Sequence, residues 1–128
     1  MIPDGVMSIG NWAFYSCSGL TSVTIPNGVK SIGEHAFYKC NGLTNMTIVN
    51  GIASIENWTF AWCKGLTSVT IPGSVTSIGY SAFNYCSSLT SIEFKGNAPT
   101  VGANAFENVA SGCKAVISST ATGFPAAG

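Results

Sequence analysis

Apolar residues in this chain fall into columns that recur every 23 positions. Leu20, Leu43, Leu66 and Leu89 form one column, and Val23, Met46, Val69 and Ile92 a second. Ile25, Ile48, Ile71 and Phe94 form a third, followed by Val6, Val29, Ile52 and Val75, then by Ile9, Ile32, Ile55, Ile78 and Val101. Phe14, Phe37, Phe60, Phe83 and Phe106 hold one position throughout, and Cys17, Cys40, Cys63 and Cys86 another. A period held by so many columns marks stacked copies of one small unit. Within a unit, the spacing of Leu20, Val23 and Ile25 predicts a short strand with these side chains inward and Thr21, Ser22 and Thr24 outward. Pro26 and Pro72 remove a ladder donor and end that strand, while Asn27-Gly28 and Asn50-Gly51 read as turns. Val29 to Ile32 predicts a second short extended piece. Gly33 and Gly79 are expected to permit a tight bend, after which Ala36 and Phe37 turn inward.

Such a coil is too small to bury its own apolar face, so copies must stack and share a core. The pattern predicts a repeat solenoid, mostly β, with short strands, tight turns and about five coils. At about 4.8 Å per coil the stack would be only about 25 Å long. Repeats are expected over residues 1–106, the first being partial, and a capping segment over 107–128. Past Phe106 the columns fail: the Cys position falls at Val109 while the cysteine is Cys113. Val116 and Ile117 read as a closing strand. Met1 stands inside a repeat with no cap before it, so the chain is expected to be a piece of a longer array.

The unit I-G-x-x-A-F-x-x-C-x-x-L-T-S-V-T-I-P, seen from Ile9 to Pro26, Ile32 to Ile48, Ile55 to Pro72 and Ile78 to Phe94, resembles the BspA-like class of leucine-rich repeats. The resemblance covers about residues 1–106. It implies a right-handed leucine-rich-repeat coil and a surface or secreted, adhesin-like protein, with a host-derived protein or glycan as partner. Three positions depart from the pattern: Val49 replaces the Pro of residues 26 and 72, Glu56 replaces the Gly of 33 and 79, and Thr59 stands where other copies have Ala. These are expected to loosen one coil locally.

Composition narrows the function. Hydrophobic residues make up 46% of the chain and charged residues only 8%, with five Lys balanced by five acids. Without clustered positive charge, neither nucleic-acid binding nor a polybasic membrane patch is expected. No apolar run approaches the length of a membrane span, so no insertion is expected either.

Because core columns are fixed by packing, positions that differ between copies are the ones packing leaves free. Two pairs flank the inward Ala-Phe: Asn11-Trp12, Glu34-His35, Asn57-Trp58 and Tyr80-Ser81 before it, then Tyr15-Ser16, Tyr38-Lys39, Ala61-Trp62 and Asn84-Tyr85 after it. Every Trp and Tyr of the chain lies in these pairs. Amphipathic rings at half-exposed positions suit binding hot spots. The candidate ligand-binding ridge is therefore Trp12, Tyr15, His35, Tyr38, Trp58, Trp62, Tyr80 and Tyr85. The competing reading is that these rings pack on neighbouring coils and shield the Phe column. The Thr/Ser columns of the strand face similarly serve either as a flat docking face or as cross-strand support.

Little in the sequence points to catalysis, a metal or a cofactor. The Cys column is expected to be a ladder of buried free thiols, since buried Cys packs as a small hydrophobe. No C-x-x-C occurs, and His35 is the single histidine, read as an exposed surface residue without a nucleophile or metal partner. Asn45-Met46-Thr47 and Asn57-Trp58-Thr59 match the glycosylation sequon. The leading expectation is a non-catalytic binding module. The alternative is a structural unit that assembles end to end through its uncapped first coil.

Overall fold

The structure, a computed structural model, describes residues 2–117 and 121–123. Its strands are β1 (Ser8–Ile9), β2 (Ser31–Ile32), β3 (Asn45–Thr47), β4 (Ser54–Ile55), β5 (Ser68–Ile71), β6 (Ser77–Ile78), β7 (Ser91–Phe94), β8 (Thr100–Val101) and β9 (Lys114–Ile117). No helix occurs among the described residues. Strands pair only with their equivalents in neighbouring coils, always in parallel and 23 residues apart, from Ser8 with Ser31 to Phe94 with Ile117. The chain is a β-solenoid of about five turns.

One ladder runs β3-β5-β7-β9; a second consists of β1-β2 and β4-β6-β8, interrupted between β2 and β4. The interruption falls in the coil that carries Val49 and Glu56, where loosening was expected. That coil nevertheless keeps its core, with Ile55, Phe60 and Cys63 buried. Thr59 is fully buried there, and its hydroxyl donates to the Glu56 carbonyl at 2.8 Å and the Gly33 carbonyl at 3.2 Å, so the extra polar atom is satisfied. The sequon at Asn57 therefore has an inaccessible Thr.

The apolar columns face inward as their spacing requires. Phe37, Phe60 and Phe83 are fully buried, as are Leu43, Leu66 and Leu89. The five phenylalanines form one stack with centroids 5.2–5.4 Å apart and planes within 13°.

Two expectations need correction. Residues 20–25 form no strand: a single bond, from the Thr44 amide to the Thr21 carbonyl at 3.3 Å, links them to the next coil. This coil has a described neighbour on one side only, and Leu20 and Val23 are half-buried. Between these columns opens an apolar hollow of about 560 Å³, lined by Ile9, Phe14, Leu20 and Val23 among others. The second correction concerns Gly33 and Gly79, neither of which has a positive φ. They are glycines because the coils approach closely: a Cβ on Gly79 would lie 2.7 Å from the Asn57 nitrogen.

Past Phe106 the residue columns fail but the backbone register persists, since β9 pairs with β7 over Ser91–Phe94 at the same offset. Residues 118–120 and 124–128 of the expected capping segment lie outside the described residues.

Candidate functional site

The ridge is built from three overlapping turns per coil. In the first coil, Ala13 donates to the Gly10 carbonyl, Tyr15 to that of Trp12 and Cys17 to that of Phe14. The alternate amides point along the stack: Trp12 donates to Glu34 O at 3.0 Å, Phe14 to Ala36 O at 2.7 Å and Ser16 to Tyr38 O at 2.8 Å. The same scheme recurs from His35 to Cys40 and from Trp58 to Cys63. Trp12 and Ser16 are the third residues of their turns, and a type II turn requires positive φ there. The second residue of every free pair accordingly sits in the left-handed region: Trp12, His35, Trp58 and Ser81 at φ 53–63°, and Ser16, Lys39, Trp62 and Tyr85 at 57–62°. Asn104 and Asn108 continue both series at 61°. These are positions where glycine or asparagine is the unstrained choice. The ladder along the stack holds bulky rings there instead.

Six of the eight candidate residues form one cluster. Trp12 stacks on His35 with centroids 3.9 Å apart and planes at 8°, and His35 is parallel to Trp58 at 5.9 Å. Tyr15 and Tyr38 are parallel to each other at 5.7 Å and meet the Trp and His rings edge-on. Tyr80 extends the cluster edge-on from Trp58 at 5.5 Å. Trp62 and Tyr85 form a separate stack at 4.2 Å. Trp12, Tyr15, Tyr80 and Tyr85 retain 50, 47, 43 and 39% of their surface, while His35, Tyr38, Trp58 and Trp62 are half-buried. The rings thus pack on neighbouring coils and also present a broad aromatic surface.

His35 differs from expectation. It is half-buried between two indoles, and that desolvation lowers its pKa below the ordinary histidine value, more than the adjacent Glu34 raises it. Among the described residues no group of three metal-ligating side chains converges.

Comparison with known proteins agrees with this coil geometry. Residues 1–122 match the model of the BspA type leucine rich repeat region, in six copies. The chain belongs to the BspA-type leucine-rich-repeat family. Among solved structures it is similar to a leucine rich repeat protein of T. pallidum, with 32% identity and a TM-score of 0.74 over 82% of this chain and 50% of that one. It is also similar to a leucine rich cell surface protein of Faecalibacterium prausnitzii, with 34% identity and a TM-score of 0.65 over 98% of this chain and 39% of that one. The chain therefore spans half or less of the length of these relatives. No curated protein matches it. No helix among the described residues is long and apolar enough to cross a membrane.

In this BspA-type coil the Cys column has a specific use. All five cysteines are free, and Cys40, Cys63 and Cys86 are fully buried. Each donates its thiol, at 3.1 Å, to the carbonyl of the Phe in the preceding coil: Cys40 to Phe14, Cys63 to Phe37 and Cys86 to Phe60. A side chain of this size that is apolar enough to bury and can still donate is what the position needs. Burial pushes the Cys40 thiol up to about 12, and Cys63 is raised as well by the neighbouring Cys86 thiol and by burial. Both thiols accordingly stay protonated and unreactive through pH 8–10. We expect a thiol reagent to leave Cys40 and Cys63 unmodified in the native protein across that range and to label all five cysteines in denaturant. Mass mapping that finds either of the two labelled in folded protein would contradict the ladder.

The strand face of the BspA-type stack is partly spoken for. The Thr67 and Thr90 hydroxyls donate to the carbonyls of Thr44 and Thr67, at 3.0 and 3.2 Å, so this column reinforces the ladder.

Proposed function

We propose that the chain is a non-catalytic binding module of a cell-surface or secreted, adhesin-like bacterial protein, whose aromatic ridge contacts a protein or glycan partner. The observation that carries this reading is the ring cluster of Trp12, Tyr15, His35, Tyr38, Trp58 and Tyr80, in which Trp12, Tyr15 and Tyr80 are exposed. It occupies positions that core packing leaves free, and its Trp12, His35 and Trp58 are held there against an unfavourable backbone region. Aromatic surface pre-ordered by stacking loses little freedom on binding, which favours affinity. The likeness to a leucine rich cell surface protein supports the placement. The non-catalytic part draws on the family and on His35, whose two faces are taken up by Trp12 and Trp58.

The test is binding of the chain to arrays of extracellular matrix proteins and glycans, repeated with Trp12→Gly combined with Trp58→Gly. Glycine suits φ near 60°, so the substitution removes the rings without adding backbone strain. Binding should fall at least tenfold while the denaturation midpoint stays close to that of the parent. A folded double variant that binds unchanged removes the ridge from the contact.

A further inference from the structure

The geometry points to Asn27-Gly28 as a self-modification site, where water replaces the Asn27 side-chain amide through a cyclic imide formed with the Gly28 nitrogen. Asparagine before glycine is where this closure is least obstructed, because glycine brings no side chain against the attacking nitrogen. That nitrogen bonds to Asn27 Cγ, the Cγ–Nδ2 bond breaks, and Nδ2 leaves as ammonia with the proton given up by the glycine amide. Water then opens the ring at either of its two carbonyls. One opening gives aspartate, and the other gives isoaspartate, in which the main chain runs through the former side chain. One water is consumed and one ammonia released, with no change of oxidation state.

The chain has three Asn-Gly pairs, at residues 27–28, 41–42 and 50–51, and the fold treats them differently. Asn41-Gly42 is wedged between coils. A Cβ on Gly42 would lie 2.6 Å from the Ser18 carbonyl oxygen, and one on Gly65 would lie 2.5 Å from that of Asn41. Backbone packed so closely has no room to swing the glycine nitrogen toward the side chain. In Asn50-Gly51 the attacking nitrogen is engaged, donating to the Ser74 hydroxyl one coil on at 2.9 Å. Asn27-Gly28 has neither restraint. The residue one coil on from Gly28 is Gly51, which has no hydroxyl to offer, and among the described residues the Gly28 amide has no acceptor.

Room and exposure agree. Asn27 and Gly28 are both exposed, and a Cβ on Gly28 would come no nearer than 3.7 Å to the Asp4 and Val6 carbonyl oxygens. A single bond, from the Val29 amide to the Pro26 carbonyl at 3.1 Å, closes the turn around the pair. The aspartate product suits the fold, since the first copy carries Asp4-Gly5 in the same column. It places a carboxylate one coil from Asp4 and makes a chain of zero formal net charge acidic. The isoaspartate product adds a main-chain atom inside the turn that the Val29 bond closes.

The test incubates the folded chain at physiological pH and temperature and follows each Asn-Gly pair by peptide mass mapping. An isoaspartate methyltransferase counts the rearranged product. Asn27 is expected to convert at least tenfold faster than Asn41 or Asn50, giving isoaspartate and aspartate together. In denaturant the three should convert at similar rates. Gly28→Ala, for which the turn has room, should slow Asn27 at least tenfold by crowding the attacking nitrogen. Ser74→Ala, which releases the Gly51 amide, should raise the Asn50 rate severalfold. Denaturation midpoints close to that of the parent show that both variants are folded. The inference is overturned if Asn27 converts no faster than the other two in the folded chain, or if its lead persists in denaturant. It is equally overturned by conversion that Gly28→Ala leaves unchanged, by an Asn50 rate that Ser74→Ala does not move, or by aspartate without isoaspartate, the mark of direct hydrolysis.

Discussion

Replacing Phe60 with Ala is expected to lower the stability of the native state by about 3–5 kcal/mol, the usual cost of emptying a buried aromatic site. Phe60 is fully buried and stacks on Phe37 at 5.4 Å and on Phe83 at 5.2 Å. In a solenoid each coil is stabilised mainly by its two neighbours, so a central deletion weakens two interfaces at once. Rigid ladders on both sides limit collapse into the space left behind. Phe14 is half-buried and contacts only Phe37 in the stack, so Phe14→Ala should cost about half as much. Urea denaturation of both variants checks this. Equal losses at the two positions would show that the stack is not what couples the coils.

The second large effect is expected at Gly79. Its missing Cβ would meet the Asn57 nitrogen at 2.7 Å and the Glu56 carbonyl carbon at 2.8 Å, both of them backbone atoms that cannot swing aside. Gly79→Ala must therefore force two coils apart, at about 1–3 kcal/mol. Part of the crowding comes from the Asn57 side chain, which lies over the glycine to accept the Tyr80 amide at 2.7 Å. Asn11 does the same over Gly33, accepting the Glu34 amide at 2.9 Å. Where Glu34 replaces that asparagine, the next coil carries Glu56 in place of glycine. Asn57→Ser should thus recover part of the loss when combined with Gly79→Ala, giving a coupling of about 0.5 kcal/mol or more in a double-mutant cycle. Strict additivity would leave the backbone contacts as the whole cause.

Glu56 shows how far the sequence could be read. As a column entry it was visible as a departure, and the ladder does break in its coil. Its link to Glu34 was not visible, because it joins positions 22 residues apart and depends on where an amide oxygen comes to rest. The core was legible for the opposite reason: Phe, Leu and Cys recur at fixed spacing, and burial alone places them. The free pairs were legible as variation, yet the left-handed backbone beneath them was not. Trp, His, Lys and Tyr argue against positive φ, and only Asn104 and Asn108, in the last copy, hint at it. The exposure expected for His35 failed because stacking across coils depends on ring orientation. The strand expected at residues 20–25 keeps only the bond from the Thr44 amide to the Thr21 carbonyl, and a local pattern does not encode how many rungs form.

The amides that join the coils run parallel to the stack, so they also determine how the molecule carries a mechanical load. Tension along that direction acts on each ladder as a tensile pull on successive rungs, and the rungs of one coil can open before the next is disturbed. A released coil of 23 residues supplies about 80 Å of extended chain. A surface-tethered array of this construction would lengthen stepwise under strain, absorbing work at each step, while the coils still stacked keep their rings in place.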